Sequence, residues 1–214
     1  MSRLRLRIGI SLDGYAAAPN QSVDHPMGVG GMRLHEWVLP LAAWRRHMGL
    51  EGGITNASSA VVEDAVADVG ATIMGRNMFG GHPGPWNAES PWSGWWGETP
   101  PFGQPVFVLT HHPREPLVMQ GGTTFHFVTD GIASALEQAR SAAKGRNVLL
   151  GGGANAAQQY LRAGLVDEIF LSLAPVLLGS GERLFVDIGD GFNGLELVDT
   201  IPAPGVVHLK FSRP

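Results

Sequence analysis

The segment from Val148 to Asn155, VLLGGGAN, constrains the fold of this chain more than any other part of the sequence. Its apolar start predicts a buried β-strand, and its end predicts the start of an α-helix. Between them stand three consecutive glycines, whose missing Cβ atoms let another group approach the backbone very closely. The first turn of a helix also has unpaired N–H groups, which suit a phosphate or a pyrophosphate. The segment therefore predicts a strand–turn–helix unit with an anion site at the turn.

Predicted strands and helices alternate along most of the chain. Strands are predicted at 3–12, 71–75, 106–110, 124–128, 147–150, 167–178, 195–199 and 206–212. Helices are predicted within 35–47, from Ser58 or Ser59 to a C-terminal Gly70, from a cap at Asp130, and over 155–163. The Gly/Pro-rich stretches 13–32 and 80–105 are predicted to be irregular. This order predicts a single α/β domain with a mostly parallel sheet and an antiparallel C-terminal edge.

Composition excludes several classes of function. The formal net charge is −4 and no run of Lys or Arg occurs, which argues against a nucleic-acid surface. The chain has no cysteine, which excludes disulfides, thiolate catalysis and zinc–thiolate sites. The N-terminal strand does not have the pattern of a signal peptide, and no apolar run approaches the roughly 18 residues that span a bilayer. We expect a soluble, cytoplasmic protein that acts on a small molecule, without a metal.

The glycine segment also matches the G-x-G-x-x-A fingerprint of Rossmann domains. That fingerprint requires an acidic residue at the end of the following strand, to bind a ribose hydroxyl. Here Asp167 and Glu168 stand at the start of that strand, and the motif lies in the last third of the chain. These two observations argue against a Rossmann site.

Two other predicted strands end in residues suited to a nucleotide. Gly75 allows close approach of the backbone, and Arg76 offers a planar group that suits phosphate. From residue type alone, a strand-end arginine is more often paired with a surface carboxylate. Leu109, Thr110 and His111 offer a hydroxyl and an imidazole at the next strand end. Because the carboxyl ends of parallel strands meet at one sheet edge, where open α/β sheets bind ligands, these ends together predict a nucleotide site.

Six motifs in a fixed order resemble the dihydrofolate reductase-like superfamily, specifically the branch related to the reductase domain of riboflavin biosynthesis. They are Ser11–Gly14, Ile73–Asn77, Val106–His111, Gly151–Ala154, Gly164–Ile169 and Pro175–Gly181. The resemblance covers nearly the whole chain. It implies a central sheet of about eight strands, helices on both faces, and NADPH bound across the carboxyl edge.

The resemblance also implies roles for individual residues. Gly75 and Arg76 would meet the cofactor phosphates, and Leu109, Thr110 and His111 would border the adenosine. The pyrophosphate would lie against Gly151, Gly152, Gly153, Ala154 and Asn155. Asp13 and Gly14 would line the nicotinamide and substrate side, with Asp13 as the candidate catalytic group. The alternative for Asp13-Gly14 is an ordinary turn, which this dipeptide favours.

The chain departs from this family pattern in three ways. Without cysteine it cannot carry the zinc deaminase activity to which the riboflavin reductase is often fused. The segment 20–55 is long, so the carboxylate that such enzymes place beside a pterin cannot be assigned; Glu36, Glu63 and Asp64 are weaker candidates. The loop with Trp86, Trp92, Trp95 and Trp96 could be a lid, a homodimer surface or a cover over its own small core.

The sequence therefore favours an NADPH-dependent reductase of a small heterocyclic or carbonyl substrate. One alternative is the riboflavin-pathway reduction of a ribosyl-aminopyrimidine phosphate, which would need a second basic pocket from Arg33, Arg45, Arg46 or Arg114. A second alternative is a nucleotide-binding protein without turnover. A third is a scaffold in which the glycines only form turns.

Overall fold

The computed structural model describes residues 2–81, 84–89 and 91–214, and these form a twisted sheet flanked by helices. The strands are β1 Leu4–Ser11, β2 Tyr15–Ala17, β3 Val69–Gly75, β4 Pro105–Leu109, β5 Leu117–Val118, β6 Thr124–Val128, β7 Asn147–Gly152, β8 Glu168–Ala174, β9 Glu182–Arg183, β10 Glu196–Ala203 and β11 Val206–Ser212. The helices are α1 Ala42–His47, α2 Ser58–Val66, α3 Arg76–Phe79, α4 Ile132–Ala143 and α5 Ala154–Arg162, with 3-10 turns at Gly31–Leu34 and Gln120–Gly122.

The main sheet has nine strands in the order β10-β11-β8-β1-β7-β3-β4-β6-β5. The strands from β8 to β6 pair in parallel, and β11, β10 and β5 add antiparallel strands at the two edges. The predicted α/β fold with a mostly parallel sheet and an antiparallel C-terminal edge is confirmed. The sheet has nine strands rather than about eight because two-residue β5 extends the other edge; a strand this short has no detectable periodicity.

The main core lies between the sheet and the helices α4 and α5. Leu4, Leu6 and Ile10 of β1 point into it together with Tyr160 and Leu161 of α5, and all are buried. The alternate residues of β1 face the other side of the sheet, where Arg7 forms an ion pair with Asp64 of α2. The two faces of β1 therefore meet very different surroundings, one apolar and one polar.

The segment after α2 differs from the sequence prediction. The helix ends at Val66, and the chain turns at Asp68, which has a left-handed φ of 54°. Gly70 lies inside β3 rather than at the helix end. A Cβ at this position would stand 2.5 Å from the carbonyl oxygen of Ala143, which is too close for any other residue. The glycine is thus required by the packing of β3 against the end of α4, not by a helix C-terminus.

The predicted helix caps are also different in the structure. The residue before α2 is Ala57, and the side chain of Asn56, not of Ser58 or Ser59, accepts the Ser58 N–H at 2.8 Å. Gly131 precedes α4 without a side-chain cap, so Asp130 does not have the predicted role. The stretch 13–32 is less irregular than predicted, since it contains β2, which pairs with β9 in a separate small sheet.

The tryptophan-rich loop covers a second, smaller core on the β4–β6 side of the sheet. Phe79 and Phe125 lie at its centre, and Trp86, Trp92 and Trp96 pack against it. This arrangement agrees with the loop folding over its own core. The homodimer stays a prediction.

Candidate functional site

A cavity of about 1040 Å³ opens at the carboxyl edge of the sheet. It is lined by all the predicted cofactor residues except Gly14: Gly75, Arg76, Leu109, Thr110, His111, Gly151, Gly152, Gly153, Ala154 and Asn155. The strand ends that carry them belong to β3, β4 and β7, which are neighbours in the sheet. These strand ends meet at one edge of the sheet, as expected for parallel strands. Their contact with a cofactor stays a prediction.

The glycine segment forms the junction between β7 and α5. Gly151 and Gly152 are the last residues of β7, and Gly153 precedes α5 without a side-chain hydrogen bond to the first turn. A Cβ on Gly75 would lie 3.3 Å from the Ala156 Cβ, so the end of β3 packs closely on the start of α5. A Cβ on Gly153 would meet nothing within 4 Å. The backbone is therefore accessible beside Gly153 and tightly packed beside Gly75.

Two arginines lie on the ring of Trp86. Arg76, the first residue of α3, has its guanidinium 3.6 Å from the ring centre and donates to the carbonyl oxygen of Gly80. Arg114 lies 5.1 Å from the same ring and donates to the carbonyl oxygen of Trp92 at 2.6 Å. Burial and the neighbouring Arg114 lower the pKa of Arg76. Two like charges are thus close together, one of them on a residue that lines the cavity, and this arrangement favours the arrival of an anion.

The end of β4 has a different environment. Thr110 continues the pairing with β6, because its N–H donates to the carbonyl oxygen of Val128 at 3.0 Å. Its hydroxyl oxygen accepts the N–H of His112 at 3.1 Å, and His111 is exposed. Among the described residues, no three His, Cys, Asp or Glu side chains are grouped as metal ligands would be.

Asp13 and Gly14 lie in the turn that follows β1. The Asp13 carboxylate accepts the Ser11 hydroxyl at 2.5 Å and the backbone N–H groups of Gly179 at 2.7 Å and Leu178 at 3.2 Å. The Ser11 hydrogen bond, helped by these backbone groups, lowers the pKa of Asp13 to about 2. Neither Asp13 nor Gly14 lines the cavity. Asp13 holds the end of β1 to the segment after β8, as a turn residue would, and its role on the substrate side stays a prediction.

A second group of cavity residues was missed by the sequence argument. Arg7 and Gly9 of β1 and Phe170 and Ser172 of β8 line the cavity together with His35. The sheet register pairs Arg7 with Phe170 and Gly9 with Ser172, so these four residues share one face. The sequence does show that polar residues and glycine alternate with apolar residues along β1. A face of this kind is normally expected to be exposed to solvent, so the pattern did not indicate a cavity.

Behind Ser172 lies the buried imidazole of His208, which is 1% exposed. Its Nδ1 is 3.0 Å from the Ser172 Oγ, and its Nε2 is 2.8 Å from the Ser58 Oγ. Burial, assisted by the positive charge of Arg7, lowers the pKa of His208 to about 4. The ring is therefore neutral near pH 7 and connects the two hydroxyls.

The structure does not gather the arginines proposed for a second basic pocket. Arg33 donates to the Leu177 carbonyl oxygen, Arg45 to that of Glu51, and Arg46 pairs with Glu63. Arg114 lies instead beside Arg76. Of the weaker carboxylate candidates, Glu63 and Asp64 have arginine partners and Glu36 is exposed.

The acidic pair after α5 lies away from the cavity edge. Glu168 begins β8 and forms ion pairs with Arg3 at 2.6 Å and Arg5 at 2.8 Å. Since parallel strands bind ligands at their carboxyl ends, this carboxylate stands at the wrong end of β8 for a Rossmann ribose contact. Within residues 2–81, 84–89 and 91–214, no helix has the length and apolar character needed to cross a membrane.

Comparisons with known proteins agree with this architecture. A putative riboflavin biosynthesis protein from Shewanella sp. PV-4 is similar at 20% identity, with 99% of both chains covered and a TM-score of 0.61. RibD of Acinetobacter baumannii is similar at 20% identity and a TM-score of 0.57, over all of this chain and 58% of that one. Dihydrofolate reductase of Enterococcus faecalis, complexed with NADP(H), is similar at 12% identity and a TM-score of 0.51, over 99% of this chain and 96% of that one.

At the level of sequence, the uncharacterized protein YyaP of Bacillus subtilis (strain 168) is 38% identical over 88 residues. That match spans 40% of this chain and 45% of YyaP. The family model of the RibD C-terminal domain matches residues 3–202. The match supports a reductase, and the solved structures agree with the dihydrofolate reductase-like fold. The chain belongs to the RibD C-terminal domain family.

Proposed function

We propose that the protein is an NADPH-dependent oxidoreductase that transfers hydride to a small heterocyclic or carbonyl substrate. The observation that carries this proposal is that the glycine junction at α5 and Arg76 line one cavity, with Arg114 held next to Arg76 on the ring of Trp86. The nicotinamide would supply the hydride, and the protein would bind it, orient it and exclude water.

The glycine junction fits a pyrophosphate. The first turn of α5 has no side-chain cap, so its N–H groups are available to an anion. The space beside Gly153 leaves this backbone open to the cavity. Asn155 adds a polar side chain at the same helix start, although its Oδ1 also accepts from Gln159.

The arginine cluster fits the additional phosphate that distinguishes NADPH from NADH. A guanidinium presents a planar set of donors that matches phosphate oxygens. Trp86 holds both guanidinium groups by cation–π contact, and their mutual repulsion is relieved when a dianion binds between or beside them. The cavity volume of about 1040 Å³ lies just above the roughly 300–1,000 Å³ of ligand sites, which accommodates a cofactor with a small substrate.

The substitution Arg76→Ala tests the preference for NADPH. We expect the Kd for NADPH, measured by calorimetry, to rise at least about 10-fold more than the Kd for NADH, because only NADPH has the additional phosphate. Equal losses for both cofactors would refute the role of Arg76.

The substitution Gly153→Ala tests the pyrophosphate site. A Cβ here meets no neighbouring atom within 4 Å, and the φ of −71° suits alanine, so the melting temperature should not change. The Kd for NADPH should rise about 10-fold because the methyl group keeps the pyrophosphate from the backbone. Unchanged NADPH affinity would show that the anion does not bind there.

Family membership favours a second candidate, the riboflavin-pathway reduction. A similar protein from Thermotoga maritima, 12% identical over all of this chain and 57% of that one, is described as a diaminohydroxyphosphoribosylaminopyrimidine deaminase/5-amino-6-(5-phosphoribosylamino)uracil reductase. The dispersed positions of Arg33, Arg45 and Arg46 weigh against a second phosphate site in this chain. Turnover of that phosphorylated compound with NADPH would establish this candidate. Saturable NADPH binding with no oxidation across pterins, pyrimidines and carbonyl compounds would instead indicate a binding protein without turnover.

A further inference from the structure

In one part of the cavity the wall is formed by the backbone of a glycine, with polar side chains around it. Gly9 lies in the middle of β1, and a Cβ there would stand 3.7 Å from the His35 Nε2 and 3.8 Å from the Ser172 carbonyl oxygen. Arg7 lies two residues earlier on the same face of the strand. We call Arg7, Gly9, His35 and Ser172 the Gly9 floor; all four line the cavity.

Two polar atoms of the Gly9 floor are buried without a partner. The Nε of Arg7 and the Nδ1 of His35 are inaccessible to solvent and make no hydrogen bond. Such atoms are rare in folded proteins because leaving them unpaired costs free energy. Both belong to side chains that line the cavity, so a small movement of each side chain would bring the atom to a polar group bound there.

The third polar group of the floor, the Ser172 hydroxyl, is held from behind. The register of β1, β8 and β11 places Gly9, Ser172 and His208 side by side on one face. A neutral imidazole has one N–H donor and one acceptor, and His208 uses them on the two hydroxyls of Ser172 and Ser58. The Ser172 oxygen is thereby held in place, and in the tautomer with the His208 proton on Nδ1 its own hydroxyl proton is left for a group in the cavity that it lines.

The cation of the Gly9 floor is already neutralised. Arg7 forms an ion pair with Asp64, donates to the Val61 carbonyl oxygen at 3.3 Å, and lies 4.0 Å over the ring of Phe170. A charge that is paired in this way has little attraction left for an anionic ligand. Its unpaired Nε–H still offers an ordinary hydrogen bond.

The other titratable groups on this side of the cavity also disfavour an anion. Burial lowers the pKa of His35 and of His47, which keeps both imidazoles neutral near pH 7. Glu182 brings an exposed carboxylate to the cavity lining. The apolar lining includes Trp37 and Trp44, whose flat rings suit a flat ligand.

We propose that the Gly9 floor binds the oxygen of an uncharged, flat carbonyl compound through Arg7, His35 and Ser172, with His208 as a positioning residue. The inference rests on the proposed function and specifies its substrate class. A carbonyl oxygen accepts hydrogen bonds from the Arg7 Nε–H and from the ring N–H of His35 or the hydroxyl of Ser172. A phosphate or sulfonate in the same place would be buried without a free positive charge to neutralise it.

The charge preference is tested by calorimetry with matched probes on the full chain. Isatin and benzaldehyde are compared with isatin-5-sulfonate and 4-carboxybenzaldehyde, and we expect each uncharged probe to bind at least about 10-fold more tightly than its anion. Equal or tighter binding of the anions, or no binding of either uncharged probe, would overturn the inference. The binding of NADP⁺ is measured separately. If NADP⁺ does not bind, the proposed function is refuted, whereas the inference about the Gly9 floor is decided by the probe affinities alone.

Variants of Ser172 test its contact with the ligand. Ser172→Ala should weaken isatin binding about 10-fold, whereas Ser172→Thr, which retains a hydroxyl, should restore most of the affinity. Ser141→Ala, on an exposed position of α4, is the matched control and should bind isatin normally. NADP⁺ affinity should be the same in all three. Unchanged isatin binding by Ser172→Ala would refute the contact.

Variants of His208 separate positioning from a merely structural role. An asparagine amide reaches the position of Nδ1 and can still hold Ser172, whereas a glutamine amide reaches the position of Nε2 and holds only Ser58. We therefore expect His208→Asn to bind isatin within about 3-fold of the native protein and His208→Gln to lose about 10-fold. Melting temperatures are recorded for both. Equal losses of affinity in the two variants would overturn the positioning role.

Discussion

At the scale of single residues, Asp13 is the clearest example of a carboxylate that serves the backbone. Its oxygens accept three hydrogen bonds, from Ser11, Leu178 and Gly179, and these connect the end of β1 with the segment after β8. A carboxyl with a pKa of about 2 is ionised at neutral pH and has no proton to give. Its chemistry is therefore that of an anchor.

The substitution Asp13→Asn tests this role through pH. Because the folded-state pKa lies below the ordinary value of 3.8, the stabilisation is complete above that value and is lost as the pH falls towards about 2. We expect Asp13→Asn to lower the melting temperature near neutral pH, with a difference from the native protein that shrinks below about pH 4. Affinity for NADPH should not change. An unchanged melting temperature together with lost turnover would instead support a catalytic role.

At the scale of elements, the contact between β3 and α4 is governed by a single glycine. A Cβ on Gly70 would lie 2.5 Å from the Ala143 carbonyl oxygen and 2.7 Å from its Cα, which are backbone atoms that cannot rotate away. The sequence has Gly70 just after an apolar helical stripe, so a helix C-terminus was the natural prediction. Val69 seemed to belong to this helical stripe, but it is the first residue of β3. A buried helix face and a buried strand are both apolar, so the sequence does not separate them here.

We expect Gly70→Ala to lower the free energy of unfolding by about 1–3 kcal/mol, since the added methyl group must push β3 and α4 apart. Urea denaturation measures this change. Gly153→Ala is the control, because a Cβ there meets open space. If Gly70→Ala were as stable as the control, the close packing of β3 on α4 would be wrong.

At the scale of the whole molecule, the second core supports the cavity. Trp86 packs against Phe127 at 5.0 Å, donates to the His112 carbonyl oxygen at 2.8 Å, and carries Arg76 on its ring. Through this one side chain the tryptophan-rich loop is connected to the ends of β3 and β4. The loop therefore contributes to the site by holding cations, although Trp86 does not itself line the cavity.

The substitution Trp86→Ala should therefore have two effects. We expect the free energy of unfolding to fall by about 3 kcal/mol through lost packing, and the Kd for NADPH to rise about 10-fold because Arg76 and Arg114 lose their platform. Trp92→Ala is the matched control: its indole also packs in the second core and donates to the Phe79 carbonyl oxygen, but Arg76 does not lie on it. Equal losses of NADPH affinity in both variants would contradict the platform role.

The sequence by itself determined the α/β fold, the order of its main elements and the carboxyl-edge glycines, because each depends on local periodicity or on a missing Cβ. It could not place Asp13, since a turn and a catalytic carboxylate have the same local sequence. Only the tertiary structure decided that Arg7, His35 and Ser172 surround Gly9, because they come from distant segments joined by sheet register and one 3-10 turn. Likewise, His208 and Ser58 are 150 positions apart, and no local pattern specifies such a contact.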